Sequence, residues 1–376
     1  MKRLCLDHGR ADGRGPRILL LSLLPIGDTL FTLPTVEAMR ARYPAAHLAA
    51  LVHSQTAPLM RCVPAVDEVV VLPVGQDYDG AGRLLRTLRH LRSERFDVAV
   101  DFTSPAYKWV SLACGIGLRT YMKFDRLWWL IPARHHWWRS THATRHYYDC
   151  ARELDLPPWR CVDQRPRLSL PAEARSAARA FLRGQYAAQE GRPLIGMHAG
   201  GAWLGGLKCW PPERFAALAD RLHERWNARI VLLGDDAETP LAARIAAAMR
   251  HRPLLATGSL PLLTSLGLIA ACDLFVGNDS GLLHAAAALG VPYVGIFGPT
   301  NPANFHPIGL HPQQGRLVVP PVACRSPVYF VGGSTVWQRP CCRGVCRALA
   351  TLSPDAVSET ADVLLRHGRL LRASGE

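Results

Sequence analysis

Asp279, Ser280 and Gly281, with His284 a few residues on, are the densest group of chemistry-bearing residues in this chain. They lie within C-D-L-F-V-G-N-D-S-G-L-L-H-A-A-A-A-L-G-V-P-Y-V-G-I-F-G-P-T, residues 272–300. Glycines at 277 and 281 let the backbone come close to a ligand. A helix starting at Gly281 aims unsatisfied N–H groups and the positive end of its dipole at the same spot, which suits a phosphate. An ordinary turn of a parallel sheet looks the same. His284, one turn into that helix, reaches either a ligand or a partner in the core.

Three other groups have comparable chemistry. His198-Ala199-Gly200-Gly201-Ala202-Trp203-Leu204-Gly205-Gly206-Leu207-Lys208-Cys209-Trp210-Pro211 is a glycine-rich loop with one lysine. Its N–H groups and ammonium can cradle a diphosphate, or it is a solvent loop with an incidental lysine. Gly234-Asp235-Asp236-Ala237-Glu238 offers carboxylates at a strand end. Glu238 first, and Asp236 next, can accept from ribose hydroxyls, or simply favour the start of a helix. Asp28, in Ile26-Gly27-Asp28, can take a proton from a hydroxyl as a general base, or cap the helix that follows.

The elements that position these groups alternate between strand and helix. Arg17 to Leu24 is predicted as a buried strand, followed by a loop through Asp28 and a helix from Thr29 to Arg42. Strands follow at 47–52, 68–72 and 97–102, with a basic amphipathic helix at 83–95 and a helix at 141–154. A Pro-rich linker at 157–171 and a connecting helix at 172–187 separate this half from a second alternation. The second half has strands at 194–198, 229–233 and 254–255, with helices at 213–226, 240–250 and 261–271. Leu274 to Val276 is a buried strand broken by Gly277 and Asn278; a helix at 281–289, a strand at 293–297 and a helix at 354–367 complete it. The expected division is a disordered tail at 1–16, a first Rossmann-like domain at 17–170 and a linker at 171–192. A second Rossmann-like domain at 193–352 and a C-terminal helix and tail at 353–376 follow.

The totals narrow the class. With 376 residues and a hydrophobic fraction of 49%, the chain can bury the cores of about two domains. A net charge of +14 favours an anionic partner. No basic block interleaved with aromatics marks a single-stranded nucleic-acid binder, so no nucleic acid is expected. Eleven cysteines at irregular spacing fit a reducing compartment. No apolar run is long enough to span a membrane, and Ile18–Leu24 lacks a cleavage pattern, so the expected location is cytoplasmic. The Trp/Arg-rich stretch 126–148 suits a peripheral contact with the inner membrane or an anionic saccharide. Cys324, Cys341, Cys342 and Cys346 follow no standard zinc spacing, so no metal is expected there.

Asp279-Ser280-Gly281 with His284, Lys208-Cys209-Trp210-Pro211 and Ile26-Gly27-Asp28 with Thr32-Leu33-Pro34 together resemble glycosyltransferase family 9, the heptosyltransferases of lipopolysaccharide core synthesis and their relatives. The resemblance covers about 17–367 and is strongest at 18–34, 195–211 and 272–300. It implies an α/β GT-B fold, two Rossmann-like domains with mostly parallel sheets facing an interdomain cleft. It implies an inverting transfer of heptose from ADP-heptose to a lipopolysaccharide inner-core or related acceptor, with no metal or other cofactor. Asp28 becomes the base and Lys208 a ligand of the donor diphosphate. Gly200, Gly201, Asp236, Glu238, Asp279, Ser280, Gly281 and His284 line the donor, with Glu238 on the ribose. Gly27, Thr32, His142 and Arg145 line the acceptor. Pro25, Gly200 and Gly201 stand where the family has polar residues. A relative using another nucleotide sugar, and a non-catalytic two-lobed sugar or nucleotide binder, are the alternatives. A dinucleotide oxidoreductase would need G-x-G-x-x-G after the first strand, where this chain has Pro25-Ile26-Gly27-Asp28.

Overall fold

The structure, a computed structural model, describes residues 6, 15–103, 107–121, 142–186, 191–201, 206–258, 260–322, 324, 328–331, 334–337, 342 and 346–374. Most of the tail 1–16, the stretch 126–141, residues 202–205 and Cys341 lie outside the described residues. The chain forms two compact units, Met1–Pro166 with Phe330–Val336, and Arg167–Tyr329 with Trp337–Glu376.

The first unit runs β1 (Arg17–Ser22), α1 (Ile26–Arg42), β2 (His47–Val52), α2 (Ala57–Met60), β3 (Glu68–Val71), α3 (Ala81–Ser93), β4 (Val98–Asp101), α4 (Lys108–Ala113), β5 (Leu118–Tyr121) and α5 (Ala143–Cys150). Its sheet has the order β3-β2-β1-β4-β5, and every pairing is parallel. β1 is central because Ile18, Leu19, Leu20 and Leu21 are apolar on both faces, and all four are wholly buried. The chain winds one way through β2 and β3, then returns past β1 to β4. The switch point of this sheet is therefore the carboxyl edge between β1 and β4, where ligands of such sheets gather.

The second unit begins with α6 (Ala172–Tyr186) and β6 (Leu194–His198). Next come α7 (Pro212–Trp226), β7 (Arg229–Gly234), α8 (Thr239–Ala248), β8 (Leu254–Thr257), α9 (Leu262–Ala270), β9 (Leu274–Asn278), α10 (Gly281–Ala288) and β10 (Tyr293–Ile296). The chain continues through α11 (Pro302–Phe305), β11 (Gly315–Val318), a two-stranded pair β12 (Val328–Val331) and β13 (Ser334–Trp337) whose residues Phe330–Val336 belong to the first unit, and α12 (Pro354–Ser374). The sheet order β11-β10-β9-β6-β7-β8 is parallel throughout and switches between β6 and β9. α7 turns Phe215, Leu218, Ala219 and Leu222 into a core that also takes Leu349, Val357 and Ala361. Each fully buried Phe or Leu there is worth roughly 1.5–3 kcal/mol.

Three expectations need correction. α1 begins at Ile26, so Asp28 sits in the first helical turn and not in a loop before it. Pro25 holds extended angles (φ −61°, ψ 165°), and its carbonyl accepts from Thr29 N at 2.9 Å, which starts the helix early. β9 does not break at Gly277 and Asn278. Its neighbours hold it there, with His198 opposite Gly277 and Ile296 opposite Asn278. The helix expected over 141–154 is shorter: α5 is capped by His142 and ends at Cys150, and one 3-10 turn follows at Arg152–Leu154.

Candidate active site

Both switch points carry the residues expected to do chemistry. In the second unit the carboxyl ends of β6, β7 and β9 converge on His198. Its Nε2 lies 2.9 Å from Glu238 Oε2 and its Nδ1 2.9 Å from Ser280 Oγ. Nε2 donates to the carboxylate, and Nδ1 shares a hydrogen bond with the serine hydroxyl. Glu238 also accepts from Gly201 N at 3.0 Å and from Asp235 N at 3.1 Å. Burial alone pushes the Glu238 carboxyl up; the hydrogen bond and charge of His198 and the two backbone donors outweigh it and hold the pKa at about 2. Glu238 is a permanent anion at neutral pH.

This approach depends on glycine. A Cβ at Gly200 would stand 1.6 Å from Glu238 Oε1, inside any van der Waals contact. Gly201 next to it has φ +124°, a conformation that L side chains rarely adopt. The two glycines, expected to wrap a ligand, also wrap this carboxylate. Asp235 and Glu238 form a reciprocal capping box at the start of a short 3-10 turn, so Glu238 serves the helix start and the His198 network together. Asp236 is exposed and faces away from that network: its Oδ1 is the atom a Cβ at Gly258 would meet.

One residue before Ser280, the buried Asp279 binds the lysine of the glycine-rich loop. Lys208 Nζ lies 2.6 Å from Asp279 Oδ2, and His284 Nε2 lies 3.3 Å from Oδ1. Burial pushes the Asp279 carboxyl up, the Lys208 charge overrides it, and His284 adds to the effect, so Asp279 is held well below the usual carboxylate range. Asp279 thus positions Lys208 and His284; as an anion it is no ligand for a phosphate itself. His284 is buried, as a core histidine is.

Ser280 occupies the N-cap position of α10, but its side chain makes no capping hydrogen bond. The hydroxyl is turned to His198 instead. The first turn of α10, beginning at Gly281, therefore presents its N–H groups without a side-chain cap, directly after the residue that holds Lys208.

Asn278, which from sequence reads only as a strand breaker, ties these parts together. It is wholly buried. Its Nδ2 donates to the carbonyls of Ala199 (2.7 Å) and Gly200 (3.1 Å), and its Oδ1 accepts from Trp210 N (3.1 Å). One amide thus pins both ends of the glycine-rich loop to the end of β9. Trp210 is wholly buried, and its Nε1 donates to Leu352 O at 3.1 Å. His198 is a second functional residue that the motifs do not single out. A polar residue closing a buried central strand is the available signal for both.

In the first unit the site is sparser. Asp28 Oδ1 accepts from the hydroxyl of Tyr147 at 3.0 Å. Tyr147 is wholly buried and rests edge-on against Phe102, just past β4. Burial first, and then the charge of Asp28, push the phenol well above its ordinary value, so Tyr147 stays a donor at any physiological pH. Gly27 lies in the same first turn of α1. Thr32 is wholly buried and gives its hydroxyl to Thr29 O at 2.7 Å, so it belongs to the helix and not to a ligand surface. His142 caps α5, accepting from Thr144 N at 3.2 Å, and meets Phe31 of α1 edge-on. Arg145 pairs with Asp149 at 3.0 Å and lies over Trp159.

Two parallel α/β units in one chain, each with its charged residues at a switch point, are the architecture of the GT-B class. The family model described as glycosyltransferase family 9 (heptosyltransferase) matches residues 84–326, and the chain belongs to that family. It is 25% identical to lipopolysaccharide heptosyltransferase 2 of Escherichia coli K12, over 93% of this chain and 98% of that protein. Two solved structures share the fold. The E. coli ADP-heptose lps heptosyltransferase II superposes with a TM-score of 0.70 at 23% identity, covering 94% of this chain and 99% of that one. The family 9 glycosyl transferase of Veillonella parvula DSM 2008 superposes with a TM-score of 0.74 at 20% identity, covering 98% and 100%.

Proposed function

We propose that this glycosyltransferase moves heptose from ADP-heptose onto a saccharide of the lipopolysaccharide inner core, with inversion at the anomeric carbon. The observation that carries the reading is the start of α10: uncapped N–H groups beside a lysine anchored by a buried aspartate. That is a site for the leaving diphosphate, and the charge it neutralises grows as the glycosidic bond breaks. The family, and a relative named for lipopolysaccharide heptose transfer, support the choice of sugar and acceptor.

The second unit binds the donor. Lys208 and the first turn of α10 take the diphosphate, and Glu238, ionised and aimed by His198, accepts from the ribose hydroxyls. The first unit binds the acceptor. Asp28 removes the proton from its hydroxyl; the oxygen attacks the anomeric carbon, the bond to the diphosphate breaks, and ADP leaves with the electron pair. Tyr147 holds Asp28 in position for this. The reaction runs on these side chains without a metal or other cofactor. The acceptor sits in an anionic membrane, and the net charge of +14 supports a peripheral contact with its cytoplasmic face. Among the described residues no helix is long and apolar enough to cross a membrane.

The test is ADP release by the purified protein given ADP-heptose and a heptose-deficient lipopolysaccharide, with Asp28→Ala alongside. Acceptor-dependent release that disappears in the variant is the expected result. Donor binding without turnover would reject the acceptor. No donor binding would reject ADP-heptose and send the question to UDP- and GDP-sugars.

A further inference from the structure

At the opposite edge of the first sheet, far along the strands from Asp28, four residues from three elements meet. His47 is the first residue of β2 and Glu68 the first of β3. His90 and Glu94 lie one turn apart at the end of α3. His47 Nε2 is 3.2 Å from Glu68 Oε2, and His90 Nε2 is 2.8 Å from Glu68 Oε1. His90 Nδ1 is 3.9 Å from Glu94 Oε1. One ligand atom each from His47, Glu68 and Glu94 falls within 4.8 Å of the others. Neighbouring donors around a tetrahedral zinc ion lie about 3.3–3.6 Å apart, given bonds of about 2.0–2.2 Å. The His47–Glu68 separation is close to that value, and the Glu94 donor lies within reach of both.

We infer that His47, Glu68 and Glu94 form a binding site for a divalent transition metal ion of the zinc class, with His90, hydrogen-bonded to Glu68, as a positioning residue. Imidazole with carboxylate is a borderline donor set, suited to Zn²⁺, Co²⁺ or Ni²⁺ and poorly suited to Mg²⁺, which takes oxygen. The four side chains are part-exposed, so an ion enters from solvent without unfolding the chain. The site has an oriented wall. Phe96 stacks on the His47 ring with centroids 6.5 Å apart, and Arg17 lies over the same phenyl ring and holds Glu94 Oε2. Glu94 Oε1 is thereby turned to His90.

The ion has a structural task. Among the described residues of α3, Leu91 is the only one that is buried, with Leu84 and Leu88 packed part-buried against the same core, so the end of the helix beyond Leu91 has no apolar anchor of its own. A metal bound by Glu94 on one side and by His47 and Glu68 on the other would fasten the end of α3 to the amino edge of the sheet. It would take no part in sugar transfer. The same geometry would arise from protonated histidines in a plain ion-pair network, and the experiment separates the two.

The full-length protein, stripped with chelator, is titrated with Co²⁺ and with Zn²⁺, in parallel with His90→Ala and His47→Ala/His90→Ala. Wild type should bind one Co²⁺ more than the double variant. The difference spectrum should show nitrogen and oxygen ligation, without the thiolate charge-transfer absorption that the cysteines would give. His90→Ala alone should weaken that event by roughly tenfold or more. Zn²⁺ should slow amide exchange in α3 of wild type and leave the double variant unchanged. Glu94→Gln, which keeps the side-chain volume, should weaken binding as well. Equal stoichiometry and affinity in wild type and double variant would overturn the inference, as would binding that is entirely thiolate in spectrum.

Discussion

The donor-side cluster and the Asp28 cluster occupy equivalent places, each at the switch point of a parallel sheet, yet they are built differently. In the second unit, groups from β6, β7, β9 and the glycine-rich loop are cross-linked: His198 to Glu238 and Ser280, Lys208 to Asp279, Asn278 to both ends of the loop. In the first unit, Asp28 stands on the first turn of one helix and leans on Tyr147 of another. A site that binds a highly charged diphosphate must hold its own charges in place before the ligand arrives, and pairing them does this. A general base needs only one carboxylate at a fixed place. Damage to the donor cluster should therefore cost stability as well as binding, and damage at Asp28 should cost mainly rate, with a smaller loss of stability at the buried Tyr147 hydroxyl.

Asp28→Ala is the sharpest way to separate the two. Transfer should fall by roughly 10²–10⁴-fold with ADP affinity unchanged, and stability by about 1–3 kcal/mol as the buried Tyr147 hydroxyl loses this acceptor; a larger loss in urea unfolding would mean that Asp28 serves the fold. Lys208→Met should lower donor binding and stability together. It removes the lysine from the buried Asp279 and leaves it His284, at up to about 3–5 kcal/mol of stability, and urea unfolding should show it. Lys208→Met/Asp279→Asn should recover part of that loss without recovering donor binding. If the double variant is no more stable than the single, the pair is not what stabilises this unit.

Tyr147→Phe should lower kcat by roughly 10–100-fold, the effect of losing about 1.5–3 kcal/mol of hydrogen bonding to a charge, with KM for donor little changed. An unchanged kcat would remove Tyr147 from the mechanism. Gly200→Ala should displace Glu238 and weaken ADP binding by roughly tenfold, the worth of about one hydrogen bond to the ribose, which calorimetry would detect. The smallest effect is one of pH. Glu238 and Asp279 have depressed pKa values when folded, so their contribution to stability is complete above their unfolded values and is lost as pH falls. For Glu238 the loss runs from the ordinary 4.5 down to about 2. Melting curves across that range should fall less steeply for Glu238→Gln than for wild type; parallel curves would show that the network does not hold the ionised form.

Much of the fold was legible because its strands are short apolar runs bounded by Gly, Pro and polar residues. β2 and β6 fall where the pattern put them. The pattern missed α2, α4, β5, α11 and β11 to β13, all short elements of four to six residues with too little periodicity to stand out. It ended β9 early because glycine and asparagine break an isolated strand, whereas here two parallel neighbours supply the pairing. Lys208, Glu238, Asp279 and Ser280 were found through their residue types and their positions after strands. His198, Asn278 and Tyr147 were not, because each acts by reaching across the chain, over 40 to 119 residues of sequence.

The sequence by itself determined the class: two parallel α/β units, their order along the chain, and the strand ends that carry chemistry. Those follow from local hydrophobicity and from the few residue types that bind phosphate or move protons. Tertiary structure alone decided which charge neutralises which. It paired Lys208 with Asp279, turned Ser280 from capping α10 to binding His198, and brought His47 and Glu68 to the end of α3. Electrostatic pairing acts through distance in space and through burial, and neither is a property of neighbours in sequence.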